Sequence, residues 1–296
     1  MRKDAATEWP TLALMFGCYS LWAGATWYAA SISLWIAIPV VAIVLTLHSS
    51  LQHEVLHGHP FKNIRLNEAL VFPALGLAIP YERFRDTHLA HHRNELLTDP
   101  YDDPESNYLA PRVWRELPEW RRKLLRINST LIGRMLIGPA LGVTSFVASD
   151  IQRARRGDRS VPRAWLLHLL GAVPVLLWVA ASTMPLWAYL VGAYLGLSIL
   201  KIRTFLEHRA DERVAGRSVI IEDRGPLAFL FLNNNFHAVH HAHPQVSWYK
   251  LPMMYRSRRE VFLKRNGRYR YPSYFSVFRE HFLSAKDPIP HPLMDE

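Results

Sequence analysis

The sequence predicts an all-α integral membrane protein: four transmembrane helices in two hairpins, with a cytoplasmic helical cap that carries clustered histidines. Three observations predict it. Two long stretches lack any charged residue, the basic residues fall between them, and the histidines recur at helical spacing.

The stretches are Thr11 to Leu47 and Ala164 to Leu200, each 37 residues without Lys, Arg, Asp or Glu. One crossing needs roughly 20 residues, since a helix rises about 1.5 Å per residue through about 30 Å of hydrocarbon. Each stretch therefore suits two spans and a tight turn. The expected spans are 11–30, 33–57, 164–182 and 185–208, turning near Ala30–Ser33 and Ser182–Pro185. Buried hairpins of a soluble bundle would normally keep a polar face, which these lack.

Orientation follows from the cations. Both turns are uncharged, whereas the intervening segment holds Arg121, Arg122, Lys123, Arg126, Arg153, Arg155, Arg156, Arg159 and Arg163. The positive-inside rule then places residues 58–163, residues 209–296 and both termini in the cytoplasm, in a bacterial inner or ER-type membrane. The net charge of +10 becomes mainly a topological signal, with anionic lipid headgroups as secondary partners. No nucleic-acid motif is present. Asp4 and Glu8 flank the first apolar run without a clear cleavage site, so it reads as an uncleaved span. The single cysteine, Cys18, excludes intrachain disulfides and thiolate clusters. Residues 1–296 are expected to form one domain. Glu68–Pro80 is too short to cross and contains Pro73; Leu131–Ser149 is long enough but holds Gly133, Arg134, Gly138, Pro139 and Gly142. Both are expected at the interface or in re-entrant packing.

The histidines form three groups: His53/His57, His88/His91/His92 and His237/His240/His241. His208 ends the last span. Residues three and four apart share a helix face, so each group presents its imidazoles together, and imidazole ligates Fe, Zn, Cu and Ni. Eight or nine imidazoles exceed one ion's needs and suit two. From Ser33 to His57 is 25 residues, about 37 Å of helix, which lifts His53 and His57 beyond the hydrocarbon. The last span overshoots likewise. All groups reach one side only if neither Glu68–Pro80 nor Leu131–Ser149 crosses. Soluble di-iron bundles pair two Glu-x-x-His motifs. This chain has one, Glu54–His57, so a di-iron site here would be histidine-rich.

With these motifs in order, roughly Ser49 to Pro252 resembles the membrane fatty acid desaturase-like superfamily of non-haem di-iron enzymes. The likeness rests on His53-Glu54-Val55-Leu56-His57-Gly58-His59 followed by Leu66-Asn67, and on Phe84-Arg85-Asp86-Thr87-His88-Leu89-Ala90-His91-His92-Arg93 followed by Asp99-Pro100. It continues in Asn235-Phe236-His237-Ala238-Val239-His240-His241-Ala242-His243-Pro244, then Trp248-Tyr249-Lys250-Leu251-Pro252. The resemblance implies two Fe ions (Fe2+/Fe3+) held by His53, His57, His88, His91, His92, His208, His237, His240 and His241. It implies O2 as co-substrate, a lipid or acyl-chain substrate, and electrons from a separate carrier of ferredoxin, rubredoxin or cytochrome b5 type. His59 and His243 lie off the shared faces and are expected not to ligate. His48, His168, His281 and His291 are expected to be structural or solvated.

Related enzymes often carry asparagine one turn before the His208 position, where this chain has Thr204. Asn233, Asn234 and Asn235 are candidates to orient an imidazole or to form a polar loop. Asp99 is the candidate for hydrogen bonding to a ligand histidine among Asp99, Asp102, Asp103 and Glu105; a solvated turn is the plainer reading.

An unactivated C–H bond has no acidity, so acid–base groups cannot break it, whereas dioxygen activated at a metal can. The expected activity is desaturation of a fatty acyl chain; hydroxylation or ketolation of a lipid, alkane or carotenoid on the same scaffold is the alternative. His53-Glu54-Val55-Leu56-His57 also fits the HExxH of zinc proteases, which leaves the other boxes unexplained. A metal transporter would want ionisable groups at mid-span, where only His168 occurs.

Overall fold

The computed structural model describes residues 7–93 and 95–294. Expectations touching Asp4 and the two chain ends lie outside the described residues. The chain divides into two compact units: residues 1–85 with 139–200, and residues 86–138 with 201–296.

The first unit holds most of the apolar helices. Trp9–Gly24 starts with Pro10 in its first turn and continues through a wide π-turn, Ala25–Ala29, to Ile32. The widening interrupts an otherwise regular apolar helix. Thr26 sits within it, and its hydroxyl donates to the Trp22 and Ala23 carbonyls, in competition with the helical ladder. Ser33 is extended and caps the next helix, Leu34–Leu56, by accepting from Trp35 N. Two further helices, Ser160–Ala181 and Leu186–Thr204, are separated by Ser182–Pro185. Helix boundaries thus fall within a few residues of those expected.

Among the described residues, four helices are long and apolar enough to cross a membrane: Leu34–Leu56, Leu131–Arg155, Ser160–Ala181 and Leu186–Thr204. Large apolar side chains stand exposed along them, including Trp35, Ile43, Leu166, Leu170, Leu177 and Trp187. Leu131–Arg155, which covers the stretch expected at the interface or in re-entrant packing, is a single helix of 25 residues with Pro139 inside it. Glu68–Pro80 is helical only to Leu70 and then turns, as its length and Pro73 require.

Packing in this unit is close and specific. Cys18 Sγ donates to the Val44 carbonyl, and the Tyr19 hydroxyl lies 3.2 Å from His48 Nε2. Trp22 Nε1 donates to the Tyr189 hydroxyl, which donates to the Leu75 carbonyl. Gly192 and Gly196 let Leu186–Thr204 approach Leu34–Leu56: an added Cβ would lie 2.8 Å from Val41 Cγ1 and 3.0 Å from the Ala42 carbonyl oxygen. Thr46 Oγ1 donates across this contact to Gly196 O at 3.1 Å. Small residues four apart drive such contacts in lipid, where no hydrophobic force separates helix from acyl chain. Arg83 and Asp150 form a buried ion pair at 2.8 Å, and Trp165 Nε1 donates to the other Asp150 oxygen.

The second unit departs from an all-α fold by one two-residue parallel pairing, Ile220–Ile221 with Arg270–Tyr271. Around it Phe236, Val239, Leu251, Tyr255, Phe262 and Leu263 form an apolar cluster. The short helix His237–Ala242 sits against that cluster; Ala238 N donates to Val219 O and Ile221 N to Asn235 O. Before it the chain reverses through Leu232 and Asn233, both at positive φ, a conformation that asparagine tolerates.

Gly196→Leu should strain the helix contact by about 1–3 kcal/mol, lowering the thermal midpoint in detergent. Gly17→Ala, with nothing within 4 Å of the new methyl, should leave the midpoint unchanged or higher.

Candidate metal centre

Within the second unit, seven of the nine expected ligands come together. His91, His208, His237 and His241 each offer a ring nitrogen, all within 4.8 Å of one another; His88, His92 and His240 do the same. The sets adjoin: the rings of His92 and His241 stack with centroids 4.1 Å apart. In the first unit, His53 and the helix-capping His57 stand with ring centroids 4.9 Å apart, as HxxxH spacing requires.

The outer nitrogens explain the orientation. His91 Nδ1 donates to Asp103 Oδ1 at 2.7 Å, and His237 Nδ1 to Asn234 Oδ1 at 3.2 Å. His208 Nδ1 lies 3.2 Å from the Ser218 hydroxyl, and His88 Nδ1 lies 2.9 Å from Glu105 Oε1. A neutral imidazole carries one N–H and one lone pair. With Nδ1 donating, His91 and His237 must aim Nε2 lone pairs inward. Those atoms lie 2.9 Å and 3.0 Å from His208 Nε2. His208 has at most one proton there and satisfies only one of them. His241 Nε2 is also buried, with no hydrogen-bond partner. Converging lone pairs of this kind fit a bound transition-metal cation, whose imidazole ligands are fixed from behind by carboxylates and carbonyls.

Electrostatics keep most of these rings neutral. Burial, then the neighbouring imidazoles, hold His208, His237 and His241 well below the ordinary histidine range. Burial, followed by His88 and His91, does the same to His92. His91 moves the other way: burial lowers it, but the Asp103 hydrogen bond and the Glu105, Asp103 and Glu207 charges together raise it.

The supporting residues were only partly foreseen. Asn234 orients His237, and its Nδ2 donates to Glu207 Oε1 at 2.8 Å. Asn235 instead donates to the Ile221 and Asp223 carbonyls, and Asn233 to the Trp248 carbonyl, holding loops. The Thr204 hydroxyl is buried without a hydrogen-bond partner. Asp99 accepts from Tyr101 N and Asp102 N, closing a turn in the plainer manner. Asp103 and Glu105 reach the imidazoles. Glu207, held by Arg203 at 3.1 Å, was missed; its only sequence signal is its place beside His208.

The other histidines have structural contacts. His59 Nδ1 pairs with Glu8 at 2.8 Å. His243 packs edge-on to Phe262, His168 Nε2 donates to Leu77 O, His281 Nε2 meets the Tyr271 hydroxyl, and His291 Nε2 meets Thr98 Oγ1. Asn67 explains its place in the motif, since its amide bonds both the N–H and C=O of Phe61.

Helices long and apolar enough to cross a membrane, together with imidazole clusters that could hold a metal, define the class of protein. The family model described as fatty acid desaturase matches residues 26–273, and the chain belongs to that family. Membership implies an oxidoreductase with lipid desaturase-type oxygen chemistry. Comparison with curated proteins gives no match.

Asp103→Asn should weaken iron retention about 10- to 100-fold, measured by metal analysis after chelator challenge, while Asp99→Asn retains iron. In the metal-free protein, His208, His237 and His241 stay neutral while their unfolded counterparts protonate near pH 6.5. The unfolded chain then binds more protons, so stability should fall as pH drops below that value, with His91 partly opposing the trend. Denaturant titrations across pH check the sign.

Proposed function

We propose that the protein is an O2-dependent di-iron fatty acyl desaturase of the membrane, with residues 1–296 working as one catalytic domain. The observation that carries this reading is the pair of adjoining imidazole sets in one unit. His91, His208, His237 and His241 are assigned to one iron; His88, His92 and His240 serve the other. His53 and His57 are assigned as ligands on the family's first box.

The iron pair, when bound, supplies activation of dioxygen for attack on an unactivated C–H bond. The protein's own residues hold His92, His208, His237 and His241 neutral, engage His88, His91, His208 and His237 through Nδ1, and surround the ligand nitrogens with buried side chains. Neutral donors suit a site that must exclude water. The HExxH protease reading leaves the seven clustered histidines of the second unit without a role.

Topology is part of the proposal. Two hairpins, four crossings and a cytoplasmic histidine side agree with the grouping of His88, His91 and His92 with His208, His237 and His241. A chain that leaves this cluster at Arg93 and regains it at His208 crosses the bilayer an even number of times. Of the three helices between, Leu131–Arg155 is assigned to the interface. Near its start Arg134 donates to Asn107 Oδ1 and Asn128 O. Near its end Asp150 pairs with Arg83, on the helix that carries His88. The end of the helix is thereby tied to the helix that carries His88.

Expression in a host, followed by mass spectrometry of its lipids, should give acyl chains lighter by two hydrogens. A gain of one oxygen would establish the hydroxylase alternative, and one zinc per chain with peptidase activity would overturn the oxidase reading. His92→Ala and His241→Ala should abolish the product and lose iron, while His243→Ala keeps its iron.

A further inference from the structure

A second feature of the histidine-bearing unit is a cavity of about 300 Å³ on its surface. His92 and His241 line it, with Arg93, Arg265, Phe262, Val214 and a single acid, Glu95, among the others. It reaches the ligand imidazoles from outside. Its rim joins the most basic stretch of this unit. Residues 256–270 carry seven arginines and lysines and one acid, Glu260.

Part of that charge is neutralised locally. Arg259 pairs with Glu222 and Glu260, Arg268 with Glu260, and Arg270 with Glu222. Among the described residues, Arg93, Arg258, Lys264 and Arg265 form no ion pair, and all four are exposed. Exposed apolar side chains stand among them: Leu96, Val214 and Val261. A few apolar contacts within a charged rim is the make-up of a protein docking site, and small redox encounters need little area.

We propose that this face receives an acidic one-electron carrier protein, which docks against Arg93, Arg258, Lys264 and Arg265 and delivers electrons through the cavity toward His92 and His241. The proposal rests on the desaturase reading and names that site's partner. The electron balance requires such a partner. Forming one double bond with one dioxygen yields two waters and takes four electrons. The acyl chain supplies two with its two hydrogens; two electrons and two protons come from elsewhere, hence two visits by a one-electron donor. Opposite charge speeds such encounters and makes them sensitive to salt. A bilayer drawn to the same cations would seal the cavity and leave the imidazoles at its floor unused.

The test uses the iron-loaded full chain in detergent, with oxidised plant-type ferredoxin and the soluble domain of cytochrome b5 as probes. At least one probe should bind more tightly at low than at high salt. Arg258→Glu/Lys264→Glu/Arg265→Glu should weaken that binding roughly tenfold or more, with iron content retained, whereas Arg155→Glu/Arg156→Glu should not. Single reversals at Lys264 and Arg258 serve if the triple variant fails to fold, each expected to shift the salt dependence. Undiminished binding in the folded variants, or no salt-dependent binding of either probe to the wild type, overturns the proposal. So does loss of binding to phosphatidylglycerol vesicles alone, which would make the face a lipid contact. A wild type that binds a carrier here yet makes no unsaturated lipid refutes the desaturase reading and leaves the docking face standing.

Discussion

The centre depends on one constraint: each imidazole must be neutral and must point a chosen nitrogen inward. A ring has two nitrogens, and only its outer hydrogen bond decides which keeps the lone pair. Asp103 on His91 and Asn234 on His237 make that choice. Without them the same histidines, at the same spacing, could turn N–H groups toward one another and hold no ion. Burial enforces the neutral form, since it costs more to bury a charged ring than a neutral one.

Much of the second unit serves this geometry. The short helix that carries His237, His240 and His241 is too brief to be stable alone. It is held by the apolar cluster around Val239 and by the Leu232–Asn233 reversal that precedes it. Lys286, half-buried beside Asp287, donates to the carbonyl of His208 and fixes that residue from the backbone side. In the first unit a different economy applies. Gly192, Gly196 and Thr46 bring helices to backbone contact, and the Arg83–Asp150–Trp165 network satisfies its own charges away from water.

The docking face and the ligand clusters use charge in opposite ways. Within the clusters, burial first and then mutual proximity keep His92, His208, His237 and His241 uncharged. On the outer face, Arg258 and Lys264 stand in solvent, where attraction acts over a Debye length and is tuned by salt. One element links both: Phe262 is packed in the apolar cluster, while Arg265, one turn on, lines the cavity.

The sequence by itself determined what depends on near neighbours. Helix lengths, the break at Ser33 and the pairing of His53 with His57 follow from local periodicity and uncharged runs. Only the tertiary structure decided which distant groups meet. Asp99 and Asp103 look alike in sequence, yet one closes a turn and the other reaches His91, because loop geometry sets which carboxylate faces inward. Glu207 and the continuity of Leu131–Arg155 past Pro139 were hidden for the same reason. Hydrogen-bond direction and helix packing are settled by contacts between segments far apart in the chain, and spacing within one segment carries no record of them.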